Sequence, residues 1–218
     1  MSFISNNIEV KRTARYYTNE PDFNSVDEIW FILHGYGLLA QNFIKKFSFL
    51  DNAHTLIVAP EALNRFYLDN GFGRVGASWM TREDKDFEIG DYSEYLTSLY
   101  NSIIINFPKN KIKLKVFGFS QGTSTASRWL QISGIKADTL ILWGGFFPPE
   151  YQFEIESLSF DNLLLITGKD DEYMSPERLE EGKKILDSYS VKYTTEIYDG
   201  GHEMKEEVVV NLLSRFLK

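Results

Sequence analysis

The chain has no cysteine among its 218 residues. That absence removes disulfides, thiolate catalysis and cysteine metal sites together, so any nucleophile must be oxygen or nitrogen. Histidine is scarce at three residues, far apart and without HxxxH or HExxH spacing, so no metal site is expected. No run approaches the ~20 apolar residues of a membrane span, and the opening MSFISNNIEVKRTARYY lacks the pattern of a signal peptide. Excess positive charge is missing too: a net charge of −8 repels phosphate backbones and anionic lipid. The expectation is a cytoplasmic protein with no nucleic-acid partner and no stable membrane insertion.

What is present suits one core. A hydrophobic fraction of 43% with 25% charge lies in the globular range, and the length fits a single domain over residues 1–218. Short apolar runs alternate with helix-like stretches, the pattern of an α/β fold built on a doubly wound, mostly parallel sheet. Strands are expected at about 7–17, 28–33, 55–59, 113–117, 139–143, 163–167 and 192–198. The first alternates and is more polar, which places it at an edge, antiparallel to the rest. Helices are expected near 39–49, 91–105, 121–132, 176–188 and 203–217. In the last, Val208, Val209, Leu212, Leu213 and Phe216 share one face. Residues 60–90 are left as a long connection rich in aromatics and charge, a length that usually signals function or mobility.

Residues 118–122 read GFSQG, directly after an apolar strand and directly before a helix. A serine between small residues on a sharp strand-to-helix turn is the nucleophile elbow of an α/β hydrolase. There the oxygen of Ser120 would stand beside the helix N-terminus, where backbone N–H groups favour developing negative charge. A hydroxyl needs a base, and of the three histidines His202 has the right place, after the last strand and before the last helix. His54 is read as surface or core filler. A carboxylate must orient the base, and Asp170 and Asp171 both follow the strand LLLIT; spacing alone does not choose between them. The order Ser, Asp, His is that of α/β hydrolases. His34–Gly35–Tyr36–Gly37 follows an early strand, where the Tyr36 N–H can join that of Gln121 as an oxyanion donor while His34 holds the loop.

HGYG, GFSQG, GKDDEYMSP and DGGHEM, in that order and at these separations, resemble the phospholipase/carboxylesterase family of small α/β hydrolases, which includes acyl-protein thioesterases. The resemblance runs from about residue 28 to the end. It implies an α/β-hydrolase fold without a separate cap domain and a serine esterase acting through an acyl-enzyme. The family spacing Gly168, Asp171, Met174 selects Asp171 over Asp170. The segment Gly76–Ala77–Ser78–Trp79–Met80 matches one that lies near the substrate in the family, so Trp79 and Met80 are expected to bind substrate. The implied partner is a small-molecule or lipid ester or thioester, no cofactor is needed, and a homodimer is admitted because relatives are often dimers. The chain departs from the pattern at Thr123, where a second glycine is common, and at Glu172, where proline is common; both bear on subfamily and substrate. The alternatives are a non-catalytic ligand-binding module on the same fold and another small hydrolase of dienelactone-hydrolase type.

Gly71–Phe72–Gly73–Arg74–Val75–Gly76 matches the dinucleotide fingerprint G-x-G-x-x-G but lacks the preceding strand and following helix, so it is read as a loop at the pocket rim. Phe72, among the aromatics of that loop, is the third expected substrate contact.

Overall fold

The computed structural model describes residues 3–69, 71–107, 112–150 and 159–216. In chain order the strands are β1 (Tyr16–Thr18), β2 (Glu28–Leu33), β3 (Thr55–Pro60), β4 (Asn64–Tyr67), β5 (Val75–Ser78), β6 (Lys113–Phe119), β7 (Ala137–Trp143), β8 (Phe160–Gly168) and β9 (Thr194–Tyr198). The helices are α1 (Ala40–Phe43), running into a 3-10 segment at Ile44–Leu50, then α2 (Lys85–Ile104), α3 (Gln121–Ser133), α4 (Pro176–Ser188) and α5 (Glu206–Phe216).

Residue alternation in β2 dictates the layering. Ile29, Phe31 and Leu33 join one apolar cluster and Trp30 and Ile32 the other, and all five are fully buried. Successive side chains of a strand point to opposite faces, so a strand apolar throughout must be covered on both sides. Leu96 of α2, Trp129 of α3 and Leu186 of α4 close the first face. Phe43, Phe47, Val209, Leu212 and Leu213 close the second. Each fully buried side chain of this size contributes roughly 1.5–3 kcal/mol.

Seven strands pair in the order β1-β3-β2-β6-β7-β8-β9, all parallel except β1, which runs antiparallel to β3 at the edge. This is the α/β-hydrolase arrangement, and no separate cap is present among the described residues. In a sheet of this kind, sites gather at the carboxyl ends of the strands, and β6 occupies the middle of the order.

Three expectations change. The first strand shrinks from 7–17 to Tyr16–Thr18. The Arg15 carbonyl is taken by Glu61 N–H (2.9 Å) and the Tyr95 hydroxyl (3.0 Å), and the Arg12 guanidinium donates to Asn64 Oδ1 (3.1 Å), so this stretch is tied to the turn between β3 and β4 and to α2 instead of to a ladder. The connection at 60–90 holds an antiparallel β4–β5 hairpin, with Gly71 and Gly73 at positive φ in its turn. Helix α2 starts at Lys85, not 91, with Asp86 and Glu88 placed where the helix dipole favours acid. The face expected of α5 is present at Val208, Val209, Leu212 and Leu213; the Phe216 side chain and residue 217 lie outside what is described.

Candidate active site

Ser120 ends β6 and opens α3 with φ 53° and ψ −117°, a conformation few residues with a Cβ adopt. Two glycines permit it. A Cβ on Gly118 would lie 2.3 Å from the Gly122 carbonyl oxygen, and one on Gly122 would lie 2.2 Å from the Leu33 carbonyl oxygen. Strand, elbow and helix therefore approach more closely than any side chain allows, and the turn lifts Ser120 clear of the sheet. Its N–H donates to the Trp143 carbonyl (2.9 Å), while the N–H and hydroxyl of Thr123 both donate to its carbonyl (3.0 and 2.7 Å). Thr123 thus clamps the elbow, and Gly145 makes room for it: a Cβ there would sit 2.3 Å from Thr123 Oγ1.

His202 follows β9 and aims Nε2 at Ser120 Oγ, 2.8 Å away. Its Nδ1 lies 2.8 and 3.0 Å from the two carboxylate oxygens of Asp171. It is Asp171, not the exposed Asp170, that reaches the imidazole. Asp171 is 2% exposed, and its Oδ1 accepts the N–H groups of Tyr173 (2.9 Å) and Met174 (2.8 Å), which hold the carboxylate in one orientation. Gly144, at φ +62°, passes so close that a Cβ would press within 3.1 Å of His202 Cε1.

The loop after β2 lies against the same serine. A Cβ on Gly35 would come 3.1 Å from Ser120 Cβ, and Gly37 N–H to the Ala77 carbonyl (2.9 Å) fastens the loop to β5. Among the described residues neither Tyr36 N–H nor Gln121 N–H is given to a protein acceptor. The Gln121 side chain has a job that its sequence position did not reveal. Its Oε1 accepts Trp79 N–H (3.0 Å) and its Nε2 donates to the Met80 carbonyl (2.8 Å), so the elbow grips the end of β5.

The expected substrate contacts separate. Trp79 is 1% exposed, and its indole N–H donates to the His34 carbonyl (2.8 Å). It packs beneath the loop, buried in this structure. Met80 is half-buried at the Gln121 contact, and Phe72, 90% exposed, stands at the hairpin tip beside Tyr67. Contacts missed in the sequence are the rings against His202: Phe119 (5.2 Å between centroids) and Tyr173 (4.7 Å). Among the described residues no group of three or more His, Cys, Asp or Glu is placed to hold a metal ion, and no helix is long and apolar enough to cross a membrane.

His34 is fully buried, with Nδ1 facing the Gly35 carbonyl (2.8 Å) and Nε2 accepting Ala62 N–H (3.1 Å). Accepting at Nε2 requires the neutral ring, and burial holds its pKa below the usual histidine value. Above about pH 6.5 the imidazole is neutral folded and unfolded, and nothing is lost. Below that the unfolded chain gains a proton that the folded chain refuses, so stability falls with pH, by up to about 1.4 kcal/mol per unit from this group. Urea midpoints of the natural chain and His34→Gln are expected to converge between pH 7.5 and 5.5. A constant gap would show that His34 does not carry the loss.

Solved structures share this fold at low identity. Acyl-protein thioesterase 2 of Zea mays is 18% identical, with a TM-score of 0.68 over 94% of this chain and 98% of that one. A phospholipase/carboxylesterase of Dyadobacter fermentans is 17% identical, with a TM-score of 0.69 over 97% and 100%. The carboxylesterase of Bacillus cereus is 14% identical, with a TM-score of 0.68 over 93% of each. No curated protein matches the chain in sequence. The sequence model of one family does match, from residue 24 through 218, and by it the chain belongs to the phospholipase/carboxylesterase family of α/β hydrolases.

Proposed function

We propose that this chain is a serine esterase that cleaves carboxylic ester or thioester bonds through an acyl-enzyme on Ser120, with His202 as base and Asp171 as its orienting carboxylate. Membership of the family makes it a hydrolase of the esterase class. The observation that carries the finer reading is the continuous relay of hydrogen bonds, 2.8 Å from Asp171 to His202 and 2.8 Å from His202 to Ser120. Ser120 Oγ bonds to the acyl carbon as His202 Nε2 takes its proton. The carbonyl oxygen becomes an oxyanion between the N–H groups of Tyr36 and Gln121, a site worth typically about 3 kcal/mol per donor. Collapse breaks the bond to the alcohol or thiol, which leaves with the proton from His202. Water then repeats the sequence and frees the acid.

The acyl-protein thioesterase and esterase neighbours support a small or lipid ester or thioester as substrate. The rival is a ligand-binding scaffold that has kept the fold. Intact mass after treatment with a fluorophosphonate separates the two. One adduct on the natural chain and none on Ser120→Ala is expected; a folded natural chain without adduct would bring the scaffold reading forward.

A further inference from the structure

We propose that Tyr173 is a positioning residue that stabilises the positive charge His202 acquires during catalysis, a role that rests on the function proposed above. Its ring centroid lies 4.7 Å from that of His202 with the planes tilted at 59°, within the distance over which an aromatic ring acts on a cation. The backbone of Tyr173 is fixed at both ends: its N–H donates to Asp171 Oδ1 (2.9 Å), and its carbonyl accepts the Arg178 guanidinium (2.6 Å). The side chain stays 62% exposed, and among the described residues its hydroxyl meets no partner. A large ring held at the mouth of the site without a hydroxyl contact has the imidazole as its neighbour. Asp171 and Tyr173 also form one structure, since the same carboxylate oxygen that faces Nδ1 takes the Tyr173 N–H.

The groups facing the imidazole come from four elements. They are the Asp171 carboxylate and the Tyr173 ring after β8, the Ser120 hydroxyl at the elbow, the Phe119 ring of β6 and uncharged Gly144 after β7. Asp171 is the charged one among them, so the rings are the remaining means of favouring the imidazolium. Phe119 is buried and shared with the core through Phe43. Tyr173 belongs to neither apolar cluster, and it directly follows Glu172, where the chain departs from the pattern of the family it resembles.

Two effects of the ring oppose each other. A quadrupole facing the imidazole favours the charged ring, whereas a cover that keeps water away disfavours it. The His202 side chain keeps 16% of its surface open beside the largely exposed Tyr173, so water is not excluded from the pair, and on the proposed role the attraction outweighs the shielding. The test is the rate of fluorophosphonate labelling against pH for the natural chain, Tyr173→Phe, Tyr173→Leu and Tyr173→Met, each checked for folding by circular dichroism. Tyr173→Leu and Tyr173→Met are expected to label about threefold more slowly at the plateau, with the acid limb moved down by roughly half a pH unit. Tyr173→Phe is expected to follow the natural chain, because the ring suffices. An acid limb that moves up would make Tyr173 a water shield, and an unmoved limb would make it a structural residue; either overturns the proposal. A natural chain that fails to label overturns the esterase reading instead, so the two failures are distinct.

Discussion

Asp171→Asn is expected to lower kcat by about 10³- to 10⁴-fold, while Asp170→Asn stays within about twofold of the natural chain. The large effect follows from the role proposed for a buried carboxylate against an imidazole. Asp171 meets Nδ1 with both oxygens, so Nδ1 carries the proton and Nε2 is free to accept that of Ser120. An amide at 171 can turn its NH₂ towards Nδ1, which puts the ring proton on Nε2 and removes the base. It also withdraws the negative charge that offsets the imidazolium. The geometry otherwise survives, because an amide oxygen can still accept the N–H groups of Tyr173 and Met174. Asp170 points to solvent and enters the loop through its N–H to the Gly200 carbonyl (3.0 Å), which substitution preserves. Steady-state hydrolysis of a p-nitrophenyl ester, with urea melts to show equal folding, checks both. Equal losses at the two positions, or the larger loss at Asp170, would move the role away from Asp171.

The same pair marks the limit of what the sequence could tell. Both aspartates follow β8, and the residues alone do not say which turns inward; the bond from Asp171 N–H to the Gly168 carbonyl (3.2 Å) sets that turn. Ser120 was legible because a strained elbow needs glycines on either side, and few arrangements other than G-x-S-x-G satisfy that. The parallel core was legible for a similar reason: β2 is apolar at successive positions, and only a sheet covered twice accommodates such a strand. The burial of Trp79 was not legible because an aromatic in a mixed segment gives no sign of which way it faces. Its direction depends on a hairpin whose four-residue strands are too short for their alternation to stand out. The ring of Tyr173 could not be linked to His202 from the sequence at all, since that contact joins two loops 29 positions apart. Short-range pattern fixes elements, whereas side-chain meetings between loops depend on the finished packing.

Gly122→Ala is expected to destabilise the fold by about 3 kcal/mol or more and to abolish fluorophosphonate labelling in whatever fraction still folds. The added methyl would lie 2.2 Å from the Leu33 carbonyl oxygen, 2.8 Å from its carbon and 2.9 Å from the His34 carbonyl oxygen. All three are backbone atoms, so no rotamer change relieves the clash, and either α3 moves off the sheet or β2 bends away. Both motions strike the proposed chemistry. Moving α3 carries off the Gln121 N–H, and bending β2 carries off the loop that bears Tyr36. Gly90→Ala provides the contrast within an ordinary helix: it is exposed in α2 with nothing near the new methyl, and it is expected to gain about 0.5–1 kcal/mol. Urea denaturation of both variants measures the difference. A Gly122→Ala chain within about 1 kcal/mol of the natural one would mean that the strand and helix can separate without cost. In that case the close approach at Gly122 would not be what aligns the serine with its two N–H donors, and the alignment would have to come from the Gln121 grip on Trp79 and Met80 instead.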